Sequence, residues 1–111
     1  MLVENLINKI NFNDSCVNKL FCENGSVILN IDLCMWKQKE YKEGEPELKE
    51  AVLKFVNIKN YNWNSEKTEK DIDYDSIIDI TYDGSIVKII LEDEDISIVT
   101  FQCREVQFDI L

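Results

Sequence analysis

The order of apolar and polar positions predicts one short helix followed by strands. Leu2, Val3, Leu6, Ile7 and Ile10 recur at three- and four-residue intervals, which gathers them on one face of a helix. The polar run from Asn11 to Asp14 ends it. From Cys16 onward the period becomes two, the repeat of a half-buried strand. Asn24-Gly25 separates two such runs and favours a type I′ hairpin turn, whose two central residues must both take positive φ. With Glu23 opposite Ser26, Cys22 faces Val27, Leu20 faces Leu29, Asn18 faces Ile31 and Cys16 faces Leu33. The hairpin then covers about Cys16 to Trp36, with one side almost wholly apolar.

Asp83-Gly84 predicts a second hairpin in the same way. Opposing Tyr82 with Ser85 sets Ile80 against Val87, Ile78 against Ile89 and Ser76 against Leu91 on an apolar face, and brings Asp79 to Lys88 on the other. A further turn at Asp93-Glu94 places Leu91 opposite Ile96 and Ile89 opposite Ile98. Residues 76–101 thus read as a three-stranded meander. Between the two hairpins lie a charged loop, Lys37 to Glu50, and a strand-like run from Ala51 to Ile58 whose alternation breaks at Phe55-Val56. Asn60 to Lys70 reads as a polar connection holding Tyr61 and Trp63. Phe101, Cys103, Val106, Phe108 and Ile110 describe a last strand, bulged around Gln102 to Glu105 because its apolar phase slips.

Two hairpin systems, each with one apolar face, must cover each other. The expected fold is mainly β, an antiparallel β sandwich or partly open barrel with a short N-terminal helix. A flat sheet with one helix is the alternative. At 111 residues the chain is sized for a single β-rich domain spanning 1–111, able to bury roughly 65% of its unfolded surface.

Composition narrows function mainly by exclusion. The chain has no His, which removes Ser-His-Asp and Cys-His catalysis, His-ligated metals and imidazole proton transfer. Twelve basic against 22 acidic residues leave a formal charge of −10, which repels phosphate backbones and anionic lipid. Neither nucleic acid nor a membrane is expected as a partner. The start of the chain has no basic leader, and no run approaches the ~18 apolar residues of a membrane-spanning helix, so a cytoplasmic address is expected. Cys16, Cys22, Cys34 and Cys103 lack the close paired spacing of a zinc site and read as reduced core or strand residues.

Asp71-Ile72-Asp73-Tyr74-Asp75 imitates the first half of a calcium loop, but the sixth position is Ser76 where the turn needs Gly, and the twelfth is Tyr82 where Glu would be bidentate. No metal or other cofactor is expected. Nor does any carboxyl read as set in an apolar pocket that would raise its pKa for acid/base catalysis, so no enzyme is expected.

Acidity is concentrated in one stretch. Residues 66–95 hold eleven acids against three bases, a balance of −8, and Glu92, Asp93, Glu94 and Asp95 pack four carboxylates into one turn. A field of that sign steers association with a basic protein. The candidate contact residues are Asp71, Asp73, Asp75, Asp83, Glu92, Asp93, Glu94 and Asp95, with Trp63 as an aromatic anchor between polar neighbours.

Asn13-Asp14-Ser15, Val17, Leu20-Phe21, the run from Val27 to Asp32, the run from Leu53 to Ile58 and Cys103-Arg104-Glu105-Val106 form an ordered pattern. It resembles small bacterial β domains, among them immunity-type proteins associated with polymorphic toxins. The resemblance implies a cytoplasmic, non-catalytic β protein that binds another protein. The expected function is an immunity-type antagonist of a basic toxin or effector. The competing expectation is a structural or assembly subunit that self-associates, as a homodimer for example, through an exposed strand edge.

Overall fold

A computed structural model describes residues 1–64 and 75–111. Helix α1 spans Val3–Lys9. The strands are β1 (Cys16–Glu23), β2 (Ser26–Cys34), β3 (Leu48–Val56), β4 (Lys59–Asn64), β5 (Asp75–Asp83), β6 (Ile86–Glu92), β7 (Ile96–Gln102) and β8 (Glu105–Ile110). A single 3-10 turn, Met35–Lys37, follows β2. Among the described residues, no helix is long and apolar enough to cross a membrane.

All eight strands belong to one antiparallel sheet in the order β4-β7-β6-β5-β1-β2-β3-β8, which is not closed into a barrel. Its centre is thin. Among the described residues β1 and β5 meet only where Cys16 aligns with Ser76 and Val17 with Asp75. Two links force the sheet to fold over on itself. The chain passes from β3 to β4 and from β7 to β8 through two residues each, although each pair lies at opposite ends of the strand order. So short a link cannot span a flat sheet of strands ~4.8 Å apart. The halves β4-β7-β6-β5 and β1-β2-β3-β8 therefore face each other as two layers. Leu20, Leu29, Leu53 and Phe55 from one half and Ile89, Val99 and Phe101 from the other are fully buried in the core between them.

The first hairpin follows the expected register from Glu23 with Ser26 to Lys19 with Asn30. Its turn has Asn24 at φ 49 and Gly25 at φ 74, both positive as a type I′ turn requires. Below Lys19 the expectation fails. A bulge at Asn18 brings Val17 opposite Ile31 and Cys16 opposite Asp32. One extra residue thereby exchanges a polar side chain for an apolar one at the core. The displaced Asn18 amide donates to Asp32 Oδ1 at 3.2 Å.

The second hairpin is shifted by one residue. Gly84, at φ +69, and Ser85 form the turn, and Asp83 opposes Ile86. Glycine takes the first central position, as in a type II′ turn, so Asp83 remains in the strand. Tyr82 meets Val87, Ile80 meets Ile89, and Lys88 aligns with Thr81 instead of Asp79. The expected Asp79–Lys88 pair gives way to an Asp79 carboxylate that accepts the Ile80 amide at 2.9 Å. A bulge at Ile78 then puts Ile77 opposite Leu91.

Residues 59–64 are a strand, not part of a polar connection. Tyr61 and Trp63 alternate with exposed asparagines and pack inward on the core, which suffices for an edge strand against β7. The slip around Gln102 to Glu105 is a strand break: after it the chain crosses from β7 to β8, at the far edge beside β3. Helix α1 packs on β5 and β8 through the buried Val3 and Leu6. Its start is tied to β8 by the Val106 amide, which donates to Met1 O at 2.9 Å.

Candidate functional site

The acidic turn occupies three residues, Asp93-Glu94-Asp95, rather than the expected two, with Glu92 opposing Ile96 at its base. Asp93 Oδ1 accepts the Asp95 amide at 2.9 Å, a local bond that holds the loop. One residue of loop length changes which face each side chain takes. Ser97, Val99 and Phe101 turn inward, while Ile96 and Ile98, expected on the buried face, turn outward.

The outer face of β6 and β7 therefore carries a compact quartet. Glu92 sits opposite Ile96, and Ile90 sits opposite Ile98 on the same face. Ile96 is 59% exposed, and Ile78, beside Asp79 in the bulge that meets Ile90, is 38% exposed. An apolar centre bordered by the carboxylates of the turn has the composition of a protein interface, in which a desolvated apolar core is ringed by polar groups.

Among the described residues, the structure gathers Glu92, Asp93, Glu94 and Asp95 on one turn and leaves Asp75, Asp83 and Trp63 off that surface. Glu92, Asp93, Glu94 and Asp95 are all exposed on the turn. Asp83 is exposed at the opposite end of β6, about 20 Å away at strand rise. Asp75 is 2% exposed and in register with the buried Val17, so it leaves the proposed surface. Trp63 aligns with Val99 on the inward face of β4 and packs against the core, which withdraws it as a docking anchor. Asp71 and Asp73 lie outside the described residues. A two-residue turn places Ile96 and Ile98 inward, and the third turn residue reverses them. The signal that points outward for them is Phe101, whose bulk marks 97, 99 and 101 as the core phase.

A second feature lies on the other half of the sheet. A cleft of about 870 Å³ opens between α1, the segment from Met35 to Glu45 and β8. Ile10, Met35, Phe108 and Ile110 give it apolar walls, with the buried Leu6 and Leu33 beneath them. Gln38 closes one side: its Nε2 donates to Asn11 O at 2.6 Å and Cys34 O at 2.8 Å, and its Oε1 accepts the Asn11 amide at 3.0 Å.

No disulfide links the four cysteines. Burial, more than any other influence, raises the thiol pKa of Cys16, Cys34 and Cys103; Asp32 and Asp14 push Cys16 further up. These thiols stay protonated and weakly nucleophilic near neutrality. Among the described residues, no group of three or more Cys, Asp or Glu side chains is placed to hold a metal ion.

No family model matches the chain, and no curated protein matches it. A solved structure, the crystal structure of an uncharacterized protein from Neisseria gonorrhoeae, is similar at 16% identity and a TM-score of 0.48, over 90% of this chain and 94% of that one.

Proposed function

We propose that this protein is a non-catalytic, acidic protein-binding domain and that it acts as an immunity-type antagonist of a basic toxin or effector. The observation that carries this reading is the contiguity of the Glu92–Asp95 carboxylates with the outward isoleucines Ile90, Ile96 and Ile98. The carboxylates accelerate encounter with a positive surface, and the isoleucines supply the apolar area that retains it. Toxins that cut nucleic acid are such partners, because a nucleic-acid-binding face must be basic. The non-catalytic part of the reading is supported by the absence of histidine from the sequence, which removes imidazole-dependent catalysis.

Affinity capture from source-cell lysate at low and high salt tests the proposal. One basic protein held at low salt and weakened at high salt supports it, since screening shortens the reach of exposed charge. Recovery of the bait alone, with a dimeric mass in solution, contradicts it and favours self-association through an exposed strand edge.

A further inference from the structure

The cleft beside α1 gathers positive charge in a chain of strongly negative balance. Lys9, Lys39, Lys42 and Lys49 line it, four of the twelve basic residues in a protein of charge −10. Among the described residues the one salt bridge is Lys37 with Asp14, so none of these four lysines is ion-paired there. Lys49 is the most informative of them. It stands opposite Leu33 in the phase of β3 that continues through the buried Ala51, Leu53 and Phe55. An inward strand position that usually holds an apolar residue thus holds a half-buried cation at the wall of an open cleft.

We propose that this cleft binds a long-chain carboxylate of the free fatty-acid type. Its hydrocarbon body lies on Ile10, Met35, Phe108 and Ile110, and its carboxylate is met by Lys49 and the lysines of the rim. The volume suits a small molecule, since ligand pockets span ~300–1,000 Å³ and are mostly apolar with a few placed polar groups. A monoanion fits better than a polyphosphate. Glu40 and Glu45 also line the cleft and repel a multiply charged head, and Arg104, the chain's one guanidinium, is not among its lining residues. The cleft shares no residue with the acidic turn, so this inference stands or falls apart from the proposed function.

The chain's two methionines, Met1 and Met35, both line the cleft and make methyl-labelled methionine the reporter. The protein is titrated with dodecanoate below its micellar concentration, with dodecyltrimethylammonium as an equally long cation and with hexaglutamate as an acidic peptide. The expected result is a saturable shift of the Met35 methyl with dodecanoate and none with the other two. Lys49→Glu is expected to weaken dodecanoate on the order of tenfold. Because that residue is half-buried, the double variant Lys39→Glu, Lys42→Glu on the exposed loop provides the same test without strain on the strand, and weaker binding is expected there too. No saturable shift, equal binding of the cation, a response to hexaglutamate alone, or lysine variants that bind like the wild type would overturn the assignment.

Discussion

The rings of Phe55 and Phe101 meet edge to face across the core, with centroids 5.0 Å apart and planes inclined at 67°. They belong to β3 and β7, one in each half of the sheet, and both are almost fully buried. Truncating Phe101 to Ala removes a ring that holds the layers together and leaves a cavity that neighbouring strands fill only in part. The expected loss is about 3–5 kcal/mol. Urea unfolding checks it: the midpoint falls sharply while the slope is nearly unchanged. Phe21, half-buried on the outer side of β1, is the comparison, and its replacement by Ala is expected to cost clearly less.

Ser15 joins the halves at their thin seam. Its Oγ accepts the Cys34 amide of β2 at 2.9 Å, and its carbonyl accepts the Ile77 amide of β5 at 2.7 Å. Ser15→Ala leaves the first of these amides buried without an acceptor, which costs about 1–3 kcal/mol. Hydrogen exchange is the specific readout. The Cys34 amide is expected to lose protection, whereas Ile77, bonded to the backbone carbonyl, loses it only as far as global stability falls.

The thiols titrate with a definite sign. Burial raises the pKa of Cys16, Cys34 and Cys103 above the usual thiol value, so the folded protein holds these protons more tightly than the unfolded chain. Their contribution is complete below the unfolded thiol pKa and declines as pH climbs through the raised folded values. Stability is therefore expected to fall above about pH 8.5, and Cys34→Ala is expected to shallow that fall. In the native protein, alkylation near neutrality reaches the exposed Cys22 first and Cys34 and Cys103 only after denaturation. Mass mapping of the labelled peptides distinguishes the order.

Much of this fold is legible in local pattern, and the failures have physical reasons. Asn24-Gly25 sets a turn with one permitted phase, so the register from Glu23 to Lys19 follows from it. Gly84 identifies a turn equally well, yet a lone positive-φ residue serves as either central position, and the choice moved every later pair by one. Period-two alternation is blind to bulges, because the extra residue at Asn18 restores apolar phase on both sides of itself. Strand β4 carries a weak local signal, since lysine and asparagine occupy its outward positions and only Tyr61 and Trp63 mark the inward ones. The path of the chain between halves rests on contacts such as the Cys103 thiol to the Val56 carbonyl of β3 at 3.3 Å, which local periodicity does not encode. The candidate site divides along the same line. Its carboxylates are plain in the sequence, whereas its isoleucines depend on the length of one turn.

The most direct measurement is the association and dissociation kinetics of the captured basic partner with three forms of the protein: wild type, the turn reversed as Glu92→Lys, Asp93→Lys, Glu94→Lys and Asp95→Lys, and Ile96→Asp. All three are expected to fold, because every changed residue is exposed. The account predicts that the reversed turn slows association by roughly tenfold or more at low salt and less at high salt, whereas Ile96→Asp acts mainly by faster dissociation. Rates indistinguishable from wild type in both variants would contradict it.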